Sequence, residues 1–241
     1  RTSPEPYLKA LLSAGYEKIF EIGPCFRKNE SGRLHREEFT MLEWYQAGAS
    51  SQDLIPFTKK MLSHAAKKTT GTTKIQYNDR LIDLAAEWEI VKLKDAFAKF
   101  AGRSLAESTN GNFFELDLLE KIEPNLPNDR PVILSGYPAE FRAYSALSAD
   151  DPEIADRWEL YIGGMEIANT CAELVEKGAI EETLRVFADE RKSKGMKEYP
   201  ENPIFRDAIA AGIPKSAGCA LGLDRLVMLL TNSHSIEDIK I

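Results

Sequence analysis

Apolar and polar positions trade places most clearly in two stretches near the start of the chain, Ile19 to Phe26 and Phe39 to Tyr45. The charged segment between them holds Leu34 as its one apolar residue, so the pattern predicts two antiparallel strands joined by a long polar loop. Side chains alternate across a strand, which puts Phe39, Met41, Glu43 and Tyr45 on one face and Thr40, Leu42 and Trp44 on the other. The first set combines an aromatic plate, a carboxylate and a phenol, and suits a binding floor better than a core.

Helical spacing appears on both sides of this hairpin. Ser3 and Pro4 read as an N-cap and first helical position, and Leu8, Leu11 and Leu12 follow until Gly15. Glu5 falls in the first turn, where the helix dipole favours a carboxylate. Gln52 to Lys68 carries Leu54, Phe57, Met61 and Leu62 on one stripe, with His64 at its edge. After the Thr69 to Thr73 loop, short strands and helices without polar clusters continue to Asn128, and we read about 71–128 as an insertion.

Val132 to Leu134 is a short buried strand, and Gly163-Gly164 between Trp158–Ile162 and Glu166–Cys171 is a strong hairpin signal. A two-residue turn there pairs Tyr161 with Glu166 and Glu159 with Ala168, bringing Glu159 and Glu166 to one face. Like charges so placed repel unless a cation shares them, and Mg²⁺ is the expected ion. Asn169 and Glu173 have the opposite parity and reach that face only through a bulge or strand end after Ala168. Glu181 to Lys194 is amphipathic with Leu184, Phe187 and Ala188 inward, and a shorter helix, Pro203 to Ala211, joins it in covering the sheet. Gly218 to Gly222 forms a strand of small residues, and Leu223-Asp224-Arg225-Leu226 opens an apolar helix. Without a functional role, Asp224 would cap that helix and Arg225 would pair with it.

The chain has 241 residues, 43% of them apolar, enough for a single large core carrying an insertion. No apolar run approaches membrane-spanning length and no signal-peptide pattern opens the chain, so a soluble cytoplasmic protein with no membrane partner is expected. A net charge of −7 speaks against a broad phosphate-binding surface while allowing a local basic groove. Cys25, Cys171 and Cys219 have no metal or disulfide spacing and read as small buried residues.

Two segments together carry a resemblance to a known family. Arg27 opens the loop, His35 lies eight residues on, and the strand reads Glu-Phe-Thr-Met-Leu-Glu-Trp-Tyr over 38–45; Gly-Leu-Asp-Arg-Leu follows over 222–226. These resemble the second and third signature motifs of the class II aminoacyl-tRNA synthetases, in the lysyl branch. The Leu42-Glu43-Trp44-Tyr45 ending looks more like the paralogues of that branch that modify elongation factor P.

The resemblance implies an α+β fold, an antiparallel sheet flanked by helices, with 1–241 forming the catalytic core. The family's first motif, which builds a dimer interface, lies ahead of a segment like Arg1 to Glu5, so the core is expected to lack its N-terminal edge and to act as a homodimer. ATP and Mg²⁺ are the implied cofactors. Arg27 and Arg225 would be catalytic: Arg27 would hold the α-phosphate and the substrate carboxylate, and Phe39 with Arg225 would sandwich the adenine. Glu30 and His35 would orient the outer parts of the nucleotide, and Glu159 with Glu166 would hold Mg²⁺ on the phosphates. Glu43, Tyr45 and Glu173 would take a side-chain ammonium, and Glu5 with Asn169 a second amine, which describes lysine or an isomer of it.

Ala168 stands where lysyl-tRNA synthetases have Gly and the elongation factor P ligases have Ala, and its methyl is expected to shape the pocket for (R)-β-lysine. Three departures accompany the match. Thr170-Cys171 replaces Gly-Phe, Arg27-Lys28-Asn29-Glu30 replaces Arg-x-Glu, and His35-Arg36-Glu37-Glu38-Phe39 replaces His-Asn-Pro-Glu-Phe. The expected function is activation of (R)-β-lysine or lysine as an adenylate and its transfer to a lysine side chain of elongation factor P. The alternatives are the catalytic core of a lysyl-tRNA synthetase, with tRNA as acceptor, and a non-catalytic paralogue serving as a binding module.

Overall fold

The alternating stretches form the antiparallel pair β1, Lys18–Phe26, and β2, Glu38–Ala47, in a computed structural model that describes residues 1–239. Two further short strands, β3 (Lys74–Tyr77) and β4 (Arg80–Asp83), make a separate ribbon. The remaining strands are β5 (Glu89–Lys92), β6 (Val132–Ser135), β7 (Arg157–Ile162), β8 (Met165–Ala172) and β9 (Ser216–Gly222). They complete a seven-stranded sheet in the order β1-β2-β9-β8-β7-β6-β5, antiparallel except for the β5–β6 pair. Helices are α1 (Glu5–Ser13), α2 (Leu54–Thr70), α3 (Leu93–Ala96), α4 (Leu105–Asn110), α5 (Phe114–Asp117), α6 (Lys177–Ser193), α7 (Pro203–Ala211) and α8 (Leu223–Thr231). The expected α+β architecture is therefore observed.

One face of the sheet is sealed. Trp44, Leu160, Ala168, Cys219 and Leu221 pack there against Leu54 and Leu62 of α2, Leu226 and Leu229 of α8, and Ile75 and Ile82 of the β3–β4 ribbon. Burying side chains of this size contributes about 1.5–3 kcal/mol each. The 71–128 segment is divided between two cores: its ribbon joins the main one, while α3 to α5 enclose Phe97, Phe114 and Ile122 against Val132, Leu134 and Tyr161 on the opposite face. At the other end of that face Leu8 and Leu12 of α1 cover Tyr45, and α7 packs alongside α1. The middle of the face lies open between these two walls.

Three details differ from the expected pattern. The inward stripe of α2 is Leu54, Thr58, Leu62 and Ala66, with Thr58 donating to the Leu54 carbonyl at 2.7 Å, and Phe57 turns out to 51% exposure. Small Thr58 and Ala66 let the helix approach the sheet closely, and a Phe inward would hold it off. In α6 the buried residues are Ile180 and Thr183, while Leu184 is 38% and Phe187 36% exposed, with Phe187 edge-on to Tyr144 at 5.6 Å at the margin of the apolar cluster around Leu174, Phe205 and Ile209. The β7–β8 register also shifts: Tyr161 pairs with Glu166 as expected, but Leu160 pairs with Ala168 and Glu159 with Asn169. Ile167 is the extra residue of a bulge, one position earlier than the sequence parity required.

Candidate functional site

The bulge at Ile167 decides which side chains of β8 reach the open face. Glu166 precedes it and Asn169, Cys171 and Glu173 follow, so all four line one cleft of about 360 Å³. Ala168 goes the other way. It is 2% exposed in the main core opposite Leu160 and Leu221, so the expectation that its methyl shapes the substrate pocket is corrected.

Strand β2 supplies the floor with Phe39, Met41, Glu43 and Tyr45, the face that alternation selected. Beside it β9 contributes Gly218, Ala220 and Gly222. A Cβ on Gly218 would stand 2.8 Å from Glu173 Oε1 and closer still to the Tyr45 ring, so glycine there makes room for both. The loop after β1 brings Arg27, Glu30, Leu34, His35 and Arg36 over one end of the cleft.

That loop is tied down from the start of α8. Asp224, 1% exposed, accepts from the Thr40 backbone N–H at 2.6 Å and from Arg36 at 3.0 Å, which is a cross-link rather than a helix cap. Arg225 does not pair with Asp224. It donates to the Glu166 carbonyl at 2.7 Å and to the Leu34 carbonyl at 3.2 Å, and its second terminal nitrogen meets His35 Nε2 at 2.7 Å. His35 must accept there, so its proton sits on Nδ1. Burial and then the Arg225 charge push its pKa down. Arg27 rests 5.1 Å from the centre of the Phe39 ring, with Glu30 at 3.8 Å. Phe39 and Arg225 both line the cleft, and Arg27 is the cation that stands over the Phe39 ring.

Glu159 and Glu166 share the face but not the same surroundings. Glu159 Oε2 accepts from Tyr137 at 2.6 Å and Tyr161 at 2.9 Å, and Oε1 from Arg157 at 2.5 Å and Asn169 at 3.0 Å. Those donors fill its four lone-pair directions. Glu166 faces the cleft, and burial followed by repulsion from Glu159 pushes its carboxyl up to about 7. Among the described residues no group of three or more His, Cys, Asp or Glu is arranged as a metal cage. Mg²⁺ needs none when phosphates supply its other ligands, and a cation beside Glu166 would relieve the repulsion from Glu159. The donor set fits the ion through Glu166, the carboxylate that faces the cleft; Glu159, whose lone pairs protein donors already fill and which does not line the cleft, is left as its neighbour, which corrects the expectation that both carboxylates hold the ion.

The other end of the cleft is anionic and buried. Glu43, 2% exposed, accepts from Tyr45 at 2.7 Å and from Ser3 at 2.7 Å. Burial, then the nearby Glu5, push it up to about 7. Glu5 and Glu173 complete a ring of carboxylates around Tyr45, whose hydroxyl burial and Glu43 push well above its usual range. Ser3, Arg142, Tyr144, Arg157 and Cys171 also line the cleft, and sequence reasoning gave none of them a role there. Burial raises the Cys171 thiol, which donates weakly to Glu173 Oε1 at 3.5 Å. Its small side chain stands where the resembling family carries an aromatic ring, which widens this end.

An antiparallel sheet with a cleft over β2, β8, β9 and the start of α8 defines a class II synthetase-like domain. The model of the family described as tRNA synthetases class II (D, K and N) matches residues 1–241, and the chain belongs to that family. It is 34% identical over 264 residues to a lysine-tRNA ligase of Bacillus cereus (strain B4264), covering 99% of this chain and 52% of that protein. The corresponding enzyme of Bacillus subtilis (strain 168) is 33% identical over 260 residues, and that of Pelotomaculum thermopropionicum 35% over 262, covering 52% and 51% of those proteins. The chain thus spans about half the length of the curated relatives it matches.

Proposed function

We propose that the chain activates lysine or (R)-β-lysine with ATP, forming an aminoacyl adenylate, and passes the acyl group to a lysine side chain of elongation factor P. The observation that carries the adenylation step is one cleft with Arg27, Phe39, Glu166 and Arg225 at one end and Glu5, Glu43, Tyr45 and Glu173 at the other. A substrate carboxylate oxygen attacks the α-phosphorus in line, the bond to the bridging oxygen breaks, and pyrophosphate leaves. Positioning and charge neutralisation carry such a reaction. Arg27 offers a planar fork to the α-phosphate and the attacking carboxylate, and Arg225, fixed by Glu166 and His35, covers the base. Glu30 and His35 orient the outer nucleotide. Glu166, with Glu159 behind it, would hold Mg²⁺, which when bound neutralises charge on the phosphates.

In the second step the acceptor amine attacks the acyl carbon, AMP leaves with the bonding pair, and the amine loses a proton. The carboxylate ring selects the diamino acid, since a buried ammonium requires paired anions. The protein acceptor is supported by the resemblance of the 42–45 segment to the elongation factor P ligases. A second reading, the core of a lysyl-tRNA synthetase, is favoured by the names of the relatives. A homodimer goes with either, because the edge strand β1 leaves Phe20, Ile22 and Phe26 exposed by 69%, 54% and 48%. A cytoplasmic location goes with both acceptors.

The test is radiolabelled acyl transfer from ATP and lysine or (R)-β-lysine to purified elongation factor P and, separately, to lysine tRNA. Label on the protein supports the first reading, label on the RNA alone replaces it with the second, and label on neither removes both.

A further inference from the structure

The amino-acid end of the cleft contains a cation that none of the substrate contacts above uses. Lys9 lies on the inner side of α1 and is 1% exposed. Its Nζ is 2.6 Å from Glu5 Oε1 and 2.5 Å from Glu173 Oε2, and 5.1 Å from the centre of the Tyr144 ring. Burial by itself would strip this ammonium of its proton, but Glu173 and then Glu5 outweigh it and hold the proton on. Glu173 Oε2 has no polar partner other than Lys9 among the described residues, and Oε1 takes the weak Cys171 thiol donor. Glu5 Oε1 is held by Lys9 in the same way. Each carboxylate therefore keeps accepting capacity for the cleft that both of them line.

Consider the ring without that cation. Glu5, Glu43 and Glu173 would be mutually repelling buried anions, and at neutral pH at least one would take a proton. A protonated carboxyl donates a hydrogen bond where an incoming ammonium requires an acceptor. We propose that Lys9 is a positioning residue of the amino-acid pocket, a built-in ammonium that holds Glu5 and Glu173 together as carboxylates and aims their remaining oxygens at the substrate's amines. With Lys9 in place and Glu43 ionised, three carboxylates and one ammonium leave two negative charges, which matches two ammonium groups and so a diamino acid. The titratable groups around Lys9 are Glu5 on α1, Cys171 and Glu173 at the end of β8, Tyr144 on the loop above, and beyond them Glu43 and Tyr45 of β2.

The ion pair itself stands apart from the adenylation reading, while the role toward substrate rests on it, so the experiment has one arm for each. In the first, thermal melts of the ligand-free protein from pH 5 to pH 8 compare wild type, Lys9→Met and Lys9→Met/Glu173→Gln. The single variant should lose about 10 °C at pH 8, with the loss shrinking toward pH 5 as a carboxyl is protonated, and the double variant should recover most of it. A loss that does not change with pH would overturn the proposal.

In the second arm, calorimetric titration with lysine at pH 7 should show affinity reduced about tenfold or more in Lys9→Met and largely kept in Lys9→Arg. Equal affinity in wild type and Lys9→Met would overturn the proposal. Should Lys9→Met fail to fold, the comparison is Lys9→Met/Glu173→Gln against Glu173→Gln, where Glu5 alone depends on Lys9. Weaker lysine binding in the double variant supports the role and equal binding ends it. Wild type that binds neither lysine nor (R)-β-lysine removes the adenylation reading, and the melts still decide the ion pair.

Discussion

Arg225 concentrates several jobs in one guanidinium. It fixes the 27–37 loop through Leu34 and His35, fixes Glu166 through its carbonyl, and lines the cleft. A lysine has one point charge and no fork, so Arg225→Lys should lower kcat/KM for ATP in amino-acid-dependent exchange about a hundredfold, some 2.7 kcal/mol, while the melting temperature hardly moves. Steady-state exchange beside a melt checks both halves.

Glu43 gives the pH dependence its sign. Its carboxyl holds a proton up to about 7 in the fold, against an ordinary carboxyl near 4.5 in the unfolded chain. This group therefore costs stability progressively as pH rises through that window, and the cost stays above it. An ammonium pairs only with the ionised form. Lysine affinity should rise as pH goes from 6 to 8 and then level, and in Glu43→Gln the affinity should be low and flat. Calorimetry across that range in buffers of different ionisation enthalpy would also register the proton released on binding, and a flat wild-type profile would contradict the assignment.

At the scale of elements, the site depends on where strands are allowed to come close. Gly163 opens the β7–β8 turn at φ +62°, and a Cβ there would meet the Tyr77 ring at 2.6 Å. Gly163→Ala should therefore cost about 1–3 kcal/mol, read by denaturant unfolding, with unchanged slope. Gly218→Ala should act on substrate instead, pushing Tyr45 and Glu173 apart and raising KM for the amino acid more than it lowers kcat.

The same elements mark what local sequence can reveal. Period-two alternation placed Phe39, Met41, Glu43 and Tyr45 on the cleft face, and the Gly-Gly turn fixed the first pairs of the β7–β8 hairpin, because both signals are carried by neighbouring residues. The bulge at Ile167 is a property of two strands and their packing, so Asn169 and Glu173 were expected on the site face by role but not by parity, and Ala168 was assigned to the wrong side. The apolar pattern of α1 gives no sign of Lys9. Its spacing from Glu5 hinted at an ion pair, but its burial depends on Glu173, far along the chain. The α6 face was legible only in part: Phe187 does reach Tyr144, but Ile180 and Thr183 carry the burial, because a helix at the margin of the body follows a weaker apolar pattern than one packed along its length.

For the whole molecule, the sheet acts as a wall with one sealed side and one working side. Six of the seven side chains that the resemblance set around a nucleotide and its ion, Arg27, Glu30, His35, Phe39, Glu166 and Arg225, line the working side, and Glu159 touches the lining through Arg157 and Asn169. The exposed apolar row on β1 is at the sheet's edge, away from that cleft. Replacing Phe20 and Ile22 together with Asp should turn a dimer into a monomer in light scattering, and a monomeric wild type would contradict the dimer.

The central claim is that one cleft joins ATP to a diamino acid, and amino-acid-dependent exchange of labelled pyrophosphate into ATP tests it most directly. The account predicts exchange with lysine or (R)-β-lysine that needs Mg²⁺ and falls at least a hundredfold in Arg27→Ala. Purified, folded protein that supports exchange with neither amino acid would contradict it.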